Sequence, residues 1–312
     1  MKPARTPNVG DGVIVVNKPA GWTSHDVVNR MRGIAGTRRV GHLGTLDPLA
    51  TGVLPLMIGQ ATRLARFWDR AEKSYEAVIR FGFATSTYDR DGEPAGPVTE
   101  PVVSAEQVEA CLVRYRGDFL QTPPPVSAKK VAGVPAYKLA RRDEAVVLQP
   151  VPVSIYELRL ETCEGSHASI FIRCSAGTYV RAIAHEIGLA LGCGAHVEQL
   201  SRTQSGPFRL AEARTLDELQ VLKDGGRLDE ALIKLPDLLP AFPAVVVDEI
   251  VEAQIRQGRD FNVSPFRVQP GTEYVKAISQ GGSLIAIGQI VLPNFYHPVL
   301  VMAHSAAVAC GD

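Results

Sequence analysis

The chain contains 312 residues, of which 46% are hydrophobic and 21% are charged, and its 33 basic residues balance its 33 acidic ones. This length suits one large domain plus a small one, and the apolar content excludes an intrinsically disordered polyelectrolyte. Residues 1–66 nevertheless carry nine Lys or Arg against three Asp. This local surplus of positive charge predicts an anionic ligand there, although charges segregated on a solvated surface give the same count.

The five cysteines are odd in number, and no two of them are spaced as Cys-x-x-Cys. This pattern predicts reduced thiols, and it favours neither a disulfide framework nor a zinc site. The first residues lack the apolar core of a signal peptide, and no apolar run approaches the ~20 residues that cross a bilayer. We therefore expect a cytoplasmic protein that does not engage a membrane.

The N-terminal elements are predicted as a strand over 13–16, a helix with Ser24 as its N-cap, and an apolar strand over 53–58. A glycine-rich segment, 36–52, separates the helix from the second strand. Its four glycines and Pro48 cannot sustain a long helix, so the segment is predicted to be a shaped loop.

The middle of the chain mixes strand and helix patterns. Strands are predicted over 75–83, 153–160 and 169–174, and helices over 179–191 and after Ser104, which is placed to be an N-cap. Because these elements do not alternate as regular strand–helix–strand units, we expect an α+β fold with a mixed, mainly antiparallel sheet.

The C-terminal part is predicted to be a small β-barrel-like module. The proline-punctuated segment 234–243 has the composition of a linker. Short β-rich runs separated by Gly and Pro follow it, at 245–247, 274–278, 284–290 and 299–301. We therefore divide the chain into a domain over 1–240 and a module over 241–312. The module carries four basic residues against six acidic ones, so we expect little electrostatic affinity for nucleic acid from it.

The glycine-rich loop holds one carboxylate, Asp47, with His42 five residues earlier and Pro48 directly after the acid. Such a loop can hold one charged side chain rigidly while its glycines let a ligand approach the backbone. The sequence lacks the lysine of a P-loop, the helical zinc-protease motif and a second carboxylate in the loop. The simpler alternative is that Asp47 only caps a turn, as Asp-Pro often does.

A lone catalytic aspartate needs a cationic partner and walls that exclude water. Arg181 is a candidate partner, because its position in the first turn of the helix over 179–191 lies about 100° from the apolar stripe and so faces out of the core. Tyr75 and Tyr179 are candidate walls. An exposed helix arginine and two half-buried tyrosines are the ordinary alternatives.

The segment 121–142 is rich in proline and contains five basic residues beside Tyr137. Basic side chains next to an aromatic ring suit a nucleic-acid backbone with an unstacked base. A solvated loop has the same composition, and the residues alone do not decide between the two.

Six segments together carry the pattern of one known family. The loop Gly41-His42-x-Gly44-Thr45-Leu46-Asp47-Pro48-Leu49-Ala50-Thr51-Gly52 resembles the signature loop of the TruB family of tRNA pseudouridine synthases. Five other segments also match, and together with the loop they stand in the order of the family. They are Asn17-Lys18-Pro19-x-Gly21, Lys73-x-Tyr75, Gln121-x-Pro123-Pro124, Gly177-Thr178-Tyr179-x-Arg181 and residues 192–208. The resemblance covers about residues 12–220. The C-terminal module is similar to the family's PUA-like domain only in size and β-rich composition.

The resemblance implies a pseudouridine synthase fold and an enzyme that isomerises the uridine at position 55, in the T loop of tRNA, by flipping the base. It implies that no metal or organic cofactor is needed, and an RNA-binding insertion near 121–142. No protein partner is implied, and we expect a monomer. Asp47 would attack the nucleoside, Arg181 would pair with Asp47, and Tyr75 would pack on the base and take up its C5 proton. The residues expected to bind substrate with Tyr75 are His42, Tyr179, Leu200 and Lys18.

Two other functions stay open at this point. One is an RNA-folding chaperone or ribosome-assembly protein in which the loop only shapes a groove, although such a binder has no need of Asp47, Tyr75 and Arg181 together. The other is an aspartate-dependent hydrolase of small esters or phosphates, which the absence of metal-ligand motifs makes remote.

Overall fold

A computed structural model describes residues 9–126 and 148–303, together with the backbone of two short paired strands at Lys130–Val131 and Val134–Pro135. The basic segment predicted at 121–142 lies, after residue 126, outside the described side chains. In the described part of the chain, no helix is both long and apolar enough to span a membrane.

The strands, in chain order, are β1 Gly12–Lys18, β2 Val40–His42, β3 Thr51–Ile58, β4 Lys73–Phe81, β5 Ala84–Thr85, β6 Pro94–Ala95, β7 Gly117–Gln121, β8 Lys130–Val131, β9 Val134–Pro135, β10 Val151–Glu164, β11 His167–Cys174, β12 Ala195–Ser205, β13 Phe208–Arg209, β14 Ile233–Lys234, β15 Ala244–Val246, β16 Phe261–Asn262, β17 Tyr274–Ile278, β18 Leu284–Leu292 and β19 Phe295–Val301. The α-helices are α1 Ser24–Ala35, α2 Ala105–Leu112, α3 Val180–Ala190, α4 Leu216–Asp224 and α5 Glu249–Arg256. The 3₁₀ segments are Gly59–Trp68, Val113–Tyr115, Leu210–Glu212, Leu228–Ala231 and Leu235–Asp237.

A ten-stranded mixed sheet forms the larger part of the fold, in the order β14-β1-β3-β12-β4-β11-β10-β7, with β2 pairing with β3 and β13 with β12. The pairing of β3 with β12 is parallel, and the other described pairs of this sheet are antiparallel. The predicted α+β class and mainly antiparallel sheet are therefore confirmed. This order places β3, which follows the Asp47 loop, next to β12, and β12 next to the Tyr75 strand β4.

Side chains that alternate along β1 divide the core into two clusters, one on each face of the sheet. Ile14 and Val16 lie in the cluster that α1 to α4 cover. Val13 and Val15 lie in the opposite cluster, which contains Trp68 and five residues of the C-terminal part: Ile278, Leu284, Ile287, Leu300 and Met302. β1 and β3 are covered on both faces and are apolar on both sides. β4 and β12 are covered on one face only, because Glu76 and Gln199 are exposed on the other.

The C-terminal module is a five-stranded sheet in the order β15-β17-β18-β19-β16, with β15 parallel to β17 and α5 packed nearby. The predicted linker at 234–243 is not a free connection, because Leu238 and Leu239 are buried in the cluster shared with the main sheet. Lys276 of β17 donates to the carbonyl oxygens of Pro236 and Leu238 at 2.7 and 2.9 Å. The division at 240/241 therefore stays a prediction, with extensive packing across it.

Candidate active site

Asp47 lies in the loop that joins β2 to β3, two strands that pair antiparallel. The loop turns sharply after His42, where Gly44 has a φ of +77°, a conformation that favours glycine. A hydrogen bond from the Ala50 amide to the Asp47 carbonyl at 3.1 Å closes the turn around the acid. The loop thus presents one carboxylate from a fixed backbone, as its composition predicts.

Ser24 holds this loop and does not cap a helix. The N-cap of α1 is Thr23, whose side chain accepts from the Asp26 amide in a capping box, so the prediction that Ser24 is the N-cap is wrong. The Ser24 hydroxyl instead donates to the Leu46 carbonyl at 3.0 Å and accepts from the Leu46 amide at 2.8 Å. Sequence reasoning missed this contact because Ser is on average a better N-cap residue than Thr, which favoured Ser24 over its neighbour Thr23.

Lys18 is a second support for the loop. Its side chain is fully buried, and its ammonium donates to the carbonyls of Pro19 and Trp22 and to that of Pro48 at 3.1 Å. Burial lowers the pKa of Lys18 to about 8, against the opposing attraction of Asp47. A direct bond from this ammonium to RNA would require it to give up one of the three carbonyls.

Arg181 forms a two-point ion pair with Asp47. Its Nε lies 2.9 Å from Asp47 Oδ2, and its Nη2 donates to Asp47 Oδ1 at 3.0 Å. The side chain of Arg181 is only 3% exposed, whereas that of Asp47 is 32% exposed. Arg181 does point away from the apolar stripe of α3, but it is buried by its polar partners and does not reach solvent.

Asp89 holds the other end of the same guanidinium. Arg181 Nη1 donates to Asp89 Oδ2 at 3.0 Å and to the Thr87 carbonyl at 2.8 Å. Asp89 is itself buried and accepts from the Thr87 hydroxyl at 2.6 Å. The sequence shows Asp89 only as one acid in a polar turn, so nothing in it distinguishes this residue from its exposed neighbours.

The protonation of Asp47 depends on opposing effects. Burial raises the pKa of its carboxyl group above the ordinary value, the charge of Arg181 lowers it, Asp89 raises it, and Lys18 lowers it. The two cations therefore oppose the desolvation that would otherwise protonate a carboxyl group in this position. A carboxylate that is paired on one side and open on the other can act as a nucleophile.

Tyr75 and Leu200 lie on adjacent strands beside the loop. Tyr75 of β4 is directly opposite Arg202 of β12, and Leu200 is directly opposite Ala77. Both Tyr75 and Leu200 are 7% exposed. Burial raises the pKa of Tyr75 to about 12, while the nearby Arg202 acts to lower it. The phenol is thus protonated at neutral pH, and any base function requires help from its surroundings.

Tyr179 is fixed by an amide side chain at the end of β7. Gln121 is 1% exposed, its Nε2 donates to the Tyr179 carbonyl at 3.0 Å, and its Oε1 accepts from the Tyr179 amide at 2.8 Å. These bonds hold the residue directly before α3, and therefore hold the start of the helix that carries Arg181. Sequence reasoning included Gln121 in a family motif without assigning it this contact.

His42 lies at the end of β2 and is partly buried. Burial and the charge of Arg202 lower its pKa, so the imidazole is expected to be neutral at pH 7. In the part of the chain that the structure describes, no group of three or more His, Cys, Asp or Glu is placed to hold a metal ion. The structure thus brings Asp47, Arg181 and Asp89 into one network, with Lys18 behind the loop and Tyr75 and Leu200 on the adjacent strands.

Comparison with known proteins identifies the family. A protein of Solibacter usitatus named tRNA pseudouridine synthase B is 59% identical over 292 residues, which are 94% of this chain and 100% of that protein. A protein of the same name from Geotalea uraniireducens is 40% identical over 91% of this chain and 93% of its own. The chain belongs to the TruB family of pseudouridylate synthases.

The family models match in two parts. The TruB family pseudouridylate synthase N-terminal domain matches residues 32–180, and the tRNA pseudouridylate synthase B C-terminal domain matches residues 181–239. The ten-stranded sheet of this TruB-family chain has strands on both sides of that division. Asp47 lies in the first matched part and Arg181 in the second, so their ion pair joins the two parts.

A solved structure of an H/ACA ribonucleoprotein bound to a substrate RNA containing 2'-deoxyuridine includes a chain with the same fold. That chain superimposes with a TM-score of 0.68 at 23% identity, and the match covers 94% of this chain and 86% of that one. The likeness concerns the fold, and it extends over the main sheet and the C-terminal module of the TruB-family chain.

Proposed function

We propose that this pseudouridine synthase isomerises the uridine at position 55 of the tRNA T loop, with Asp47 as the attacking carboxylate. The observation that carries the proposal is the two-point pairing of Asp47 with Arg181 at 2.9 and 3.0 Å, which favours the anion while 32% of the Asp47 side chain stays exposed. Family membership supports the reaction class, and the names of the relatives support tRNA as the substrate.

The isomerisation breaks the bond between N1 of uracil and C1′ of ribose, turns the base, and joins C5 to C1′. Asp47 attacks the nucleoside and holds the reacting centre while the base turns. Arg181 stays paired with the carboxylate and keeps it oriented, and Asp89 in turn fixes Arg181. The C5 proton leaves last, and the proposal routes it to the Tyr75 oxygen.

The target base must leave its stack before Asp47 can reach it. Unstacking costs a few kcal/mol, and that cost is lower in a single-stranded loop than in a duplex. In the proposal, Tyr75 packs on the flipped base, Tyr179 and Leu200 line its pocket, and His42 occupies the space that the nucleotide leaves. Lys18 supports the pocket from behind through its bond to Pro48.

The charge distribution supports one-sided binding of RNA. Basic residues outnumber acidic ones nine to three in residues 1–66, where the Asp47 loop lies. We therefore expect moderate affinity for tRNA that weakens as salt is added, because each phosphate contact releases counterions. The proposal includes a monomeric enzyme that acts without a protein partner and works in the cytoplasm, where tRNA is found.

The test uses an unmodified tRNA transcript and a matched transcript with cytidine at position 55. The full-length protein is expected to place pseudouridine at position 55 of the first transcript and nowhere in the second. Asp47→Asn is expected to bind the transcript with unchanged affinity and to form no product. Product elsewhere in the tRNA, or normal turnover by the Asn variant, would contradict the proposal.

The same experiment separates the enzyme from a folding chaperone. A chaperone without catalysis would accelerate tRNA folding and leave uridine 55 unchanged even with the wild-type chain. An enzyme that is also a chaperone would show pseudouridine with the wild type and accelerated folding with Asp47→Asn.

A further inference from the structure

Arg202 is a fully buried cation that the mechanism above leaves without a function. It lies on β12 directly opposite Tyr75 of β4 in an antiparallel pair. Residues directly opposite each other in such a pair project from the same face, with Cβ atoms about 5 Å apart. The guanidinium and the phenol are therefore neighbours, and their electrostatic interaction favours the ionised phenol.

Two of the three nitrogens of Arg202 hold the backbone around Asp47. Nε donates to the Val53 carbonyl of β3 at 2.8 Å, and Nη2 donates to the Gly44 carbonyl of the Asp47 loop at 3.0 Å. The third, Nη1, is buried and has no hydrogen-bond partner among the described residues. One side chain thus ties the Asp47 loop to the sheet beside Tyr75.

The charge of Arg202 is also unbalanced. No carboxylate forms an ion pair with Arg202 in the part of the chain that the structure describes, and the neighbouring cations Lys18 and Lys73 are disfavoured by its charge. A buried charge without a counter-charge is costly to maintain. A negative charge that forms nearby would offset the free-energy cost of burying the Arg202 charge.

We propose that Arg202 positions Tyr75 for proton transfer and stabilises the negative charge that forms on the Tyr75 oxygen during the reaction. The inference rests on the proposed function and assigns a residue to its last step. Because Arg202 contacts the Gly44 carbonyl as well, it also fixes the distance between the phenol and the loop that carries Asp47.

The proton transfers between the uracil ring and Tyr75 must balance. Conversion of uridine to pseudouridine removes one proton from C5 and adds one proton to N1. The number of protons on the enzyme is therefore the same before and after the reaction. Once C5 has joined C1′, Tyr75 gives its hydroxyl proton to N1 and becomes a phenolate beside Arg202. The phenolate then takes the proton from C5, the electron pair of that C–H bond returns to the ring as the C5–C6 double bond, and the phenol is restored.

The first test compares tRNA that carries protium or deuterium at C5 of the target uridine, in single-turnover reactions. Arg202→Gln keeps a donor but loses the charge, and we expect it to slow pseudouridine formation by about 10²-fold, the usual contribution of general acid–base catalysis. We also expect a primary isotope effect in this variant, larger than in the wild type, because proton transfer from C5 becomes rate-limiting. Arg202→Lys, which keeps the charge, is expected to restore part of the rate.

The second test uses tRNA with 5-fluorouridine at position 55, in which C5 carries no proton. Arg202→Gln is expected to form the rearranged fluorinated adduct as fast as the wild type, because C5 joins C1′ before Tyr75 gives up its proton and therefore before Arg202 is needed. The control is Arg116→Gln, which also removes a guanidinium that donates to a sheet carbonyl, that of Leu158, but far from Asp47 along the sheet. It is expected to show neither a slower reaction nor a new isotope effect.

A purely structural role would slow both substrates equally and produce no isotope effect, and this result would overturn the proposal. Thermal unfolding of each variant identifies loss of folded protein, and Arg202→Lys keeps the question answerable if Arg202→Gln does not fold. Failure of the wild-type chain to modify uridine 55 would instead contradict the proposed function, so the two failures are distinguishable.

Discussion

The hydroxyl of Ser24 satisfies both backbone polar groups of Leu46, the residue directly before Asp47, at 3.0 and 2.8 Å. Ser24 is 2% exposed, so water cannot replace these bonds easily if the hydroxyl is lost. The first turn of α1 therefore fixes the backbone from which the candidate nucleophile projects.

Ser24→Ala is expected to lower the free energy of unfolding by about 2 kcal/mol or more, because two buried backbone groups lose their partner. It is also expected to slow pseudouridine formation, since the Asp47 carboxylate loses its fixed position. The matched control is Ser104→Ala, which removes the N-cap of α2 at a cost of about 1 kcal/mol and leaves the Asp47 loop unchanged. Equal rates for the two variants in single-turnover assays would contradict the role of Ser24.

Asp89→Asn is expected to shift the acid limb of the pH–rate profile to lower pH. The Asp89 charge raises the pKa of Asp47, so its removal lowers that pKa. Because Asp47 acts as the anion, activity is lost as the pH falls through its pKa, and a lower pKa preserves activity in more acidic solution. The control is Asp91→Asn, which removes a nearby carboxylate that does not contact Arg181. A shift toward higher pH in the Asp89 variant would refute this assignment.

We predict that activity declines above about pH 8, where Lys18 loses its proton. Burial lowers its pKa to about 8, so the ammonium loses a proton in mildly alkaline solution. The neutral amine has two N–H groups and a lone pair facing three carbonyls, and we expect the bond to Pro48 to weaken and the Asp47 loop to loosen. The profile of Lys18→Met is expected to be low and flat between pH 7 and 9. A wild-type rate that holds constant over this range would contradict the prediction.

Gln121→Ala is expected to reduce activity through Tyr179, although Gln121 is not expected to touch the base. The substitution removes two buried hydrogen bonds to the Tyr179 backbone, each worth about 1 kcal/mol, and frees the start of α3. Gln121→Glu is the matched variant, because a carboxylate can still accept from the Tyr179 amide but cannot donate to its carbonyl. Unfolding curves and single-turnover rates should rank wild type, Glu and Ala in descending order.

Local patterns were enough to predict about half of the elements of the fold, but they missed the central strand β12 and the helix α4. The capping box at Ser104, the alternation along β4 and the apolar face of α3 each arise from residues within a few positions of one another. The run at 274–278 is an observed strand with the predicted bounds, whereas the helix α5 and the short strand β16 had no expected counterpart. Both lie between loops, where short segments give little periodic signal.

The sequence by itself determined the Asp47 loop, because glycines, a proline and one acid within twelve positions specify a rigid turn with one charge. It also identified Arg181 as the candidate partner, but it placed that side chain facing out of the core. Only the tertiary structure decided that Arg181 is buried between Asp47 and Asp89, which are 134 and 92 positions away from it.

The contacts of Ser24 with the loop, of Gln121 with Tyr179 and of Arg202 with β3 were likewise decided by tertiary structure. Each depends on which strands and helices become neighbours, and the parallel pairing of β3 with β12 is not encoded in any local pattern. Periodicity reports which face of an element is apolar, whereas the partner of a buried polar group is fixed only when the whole sheet is assembled.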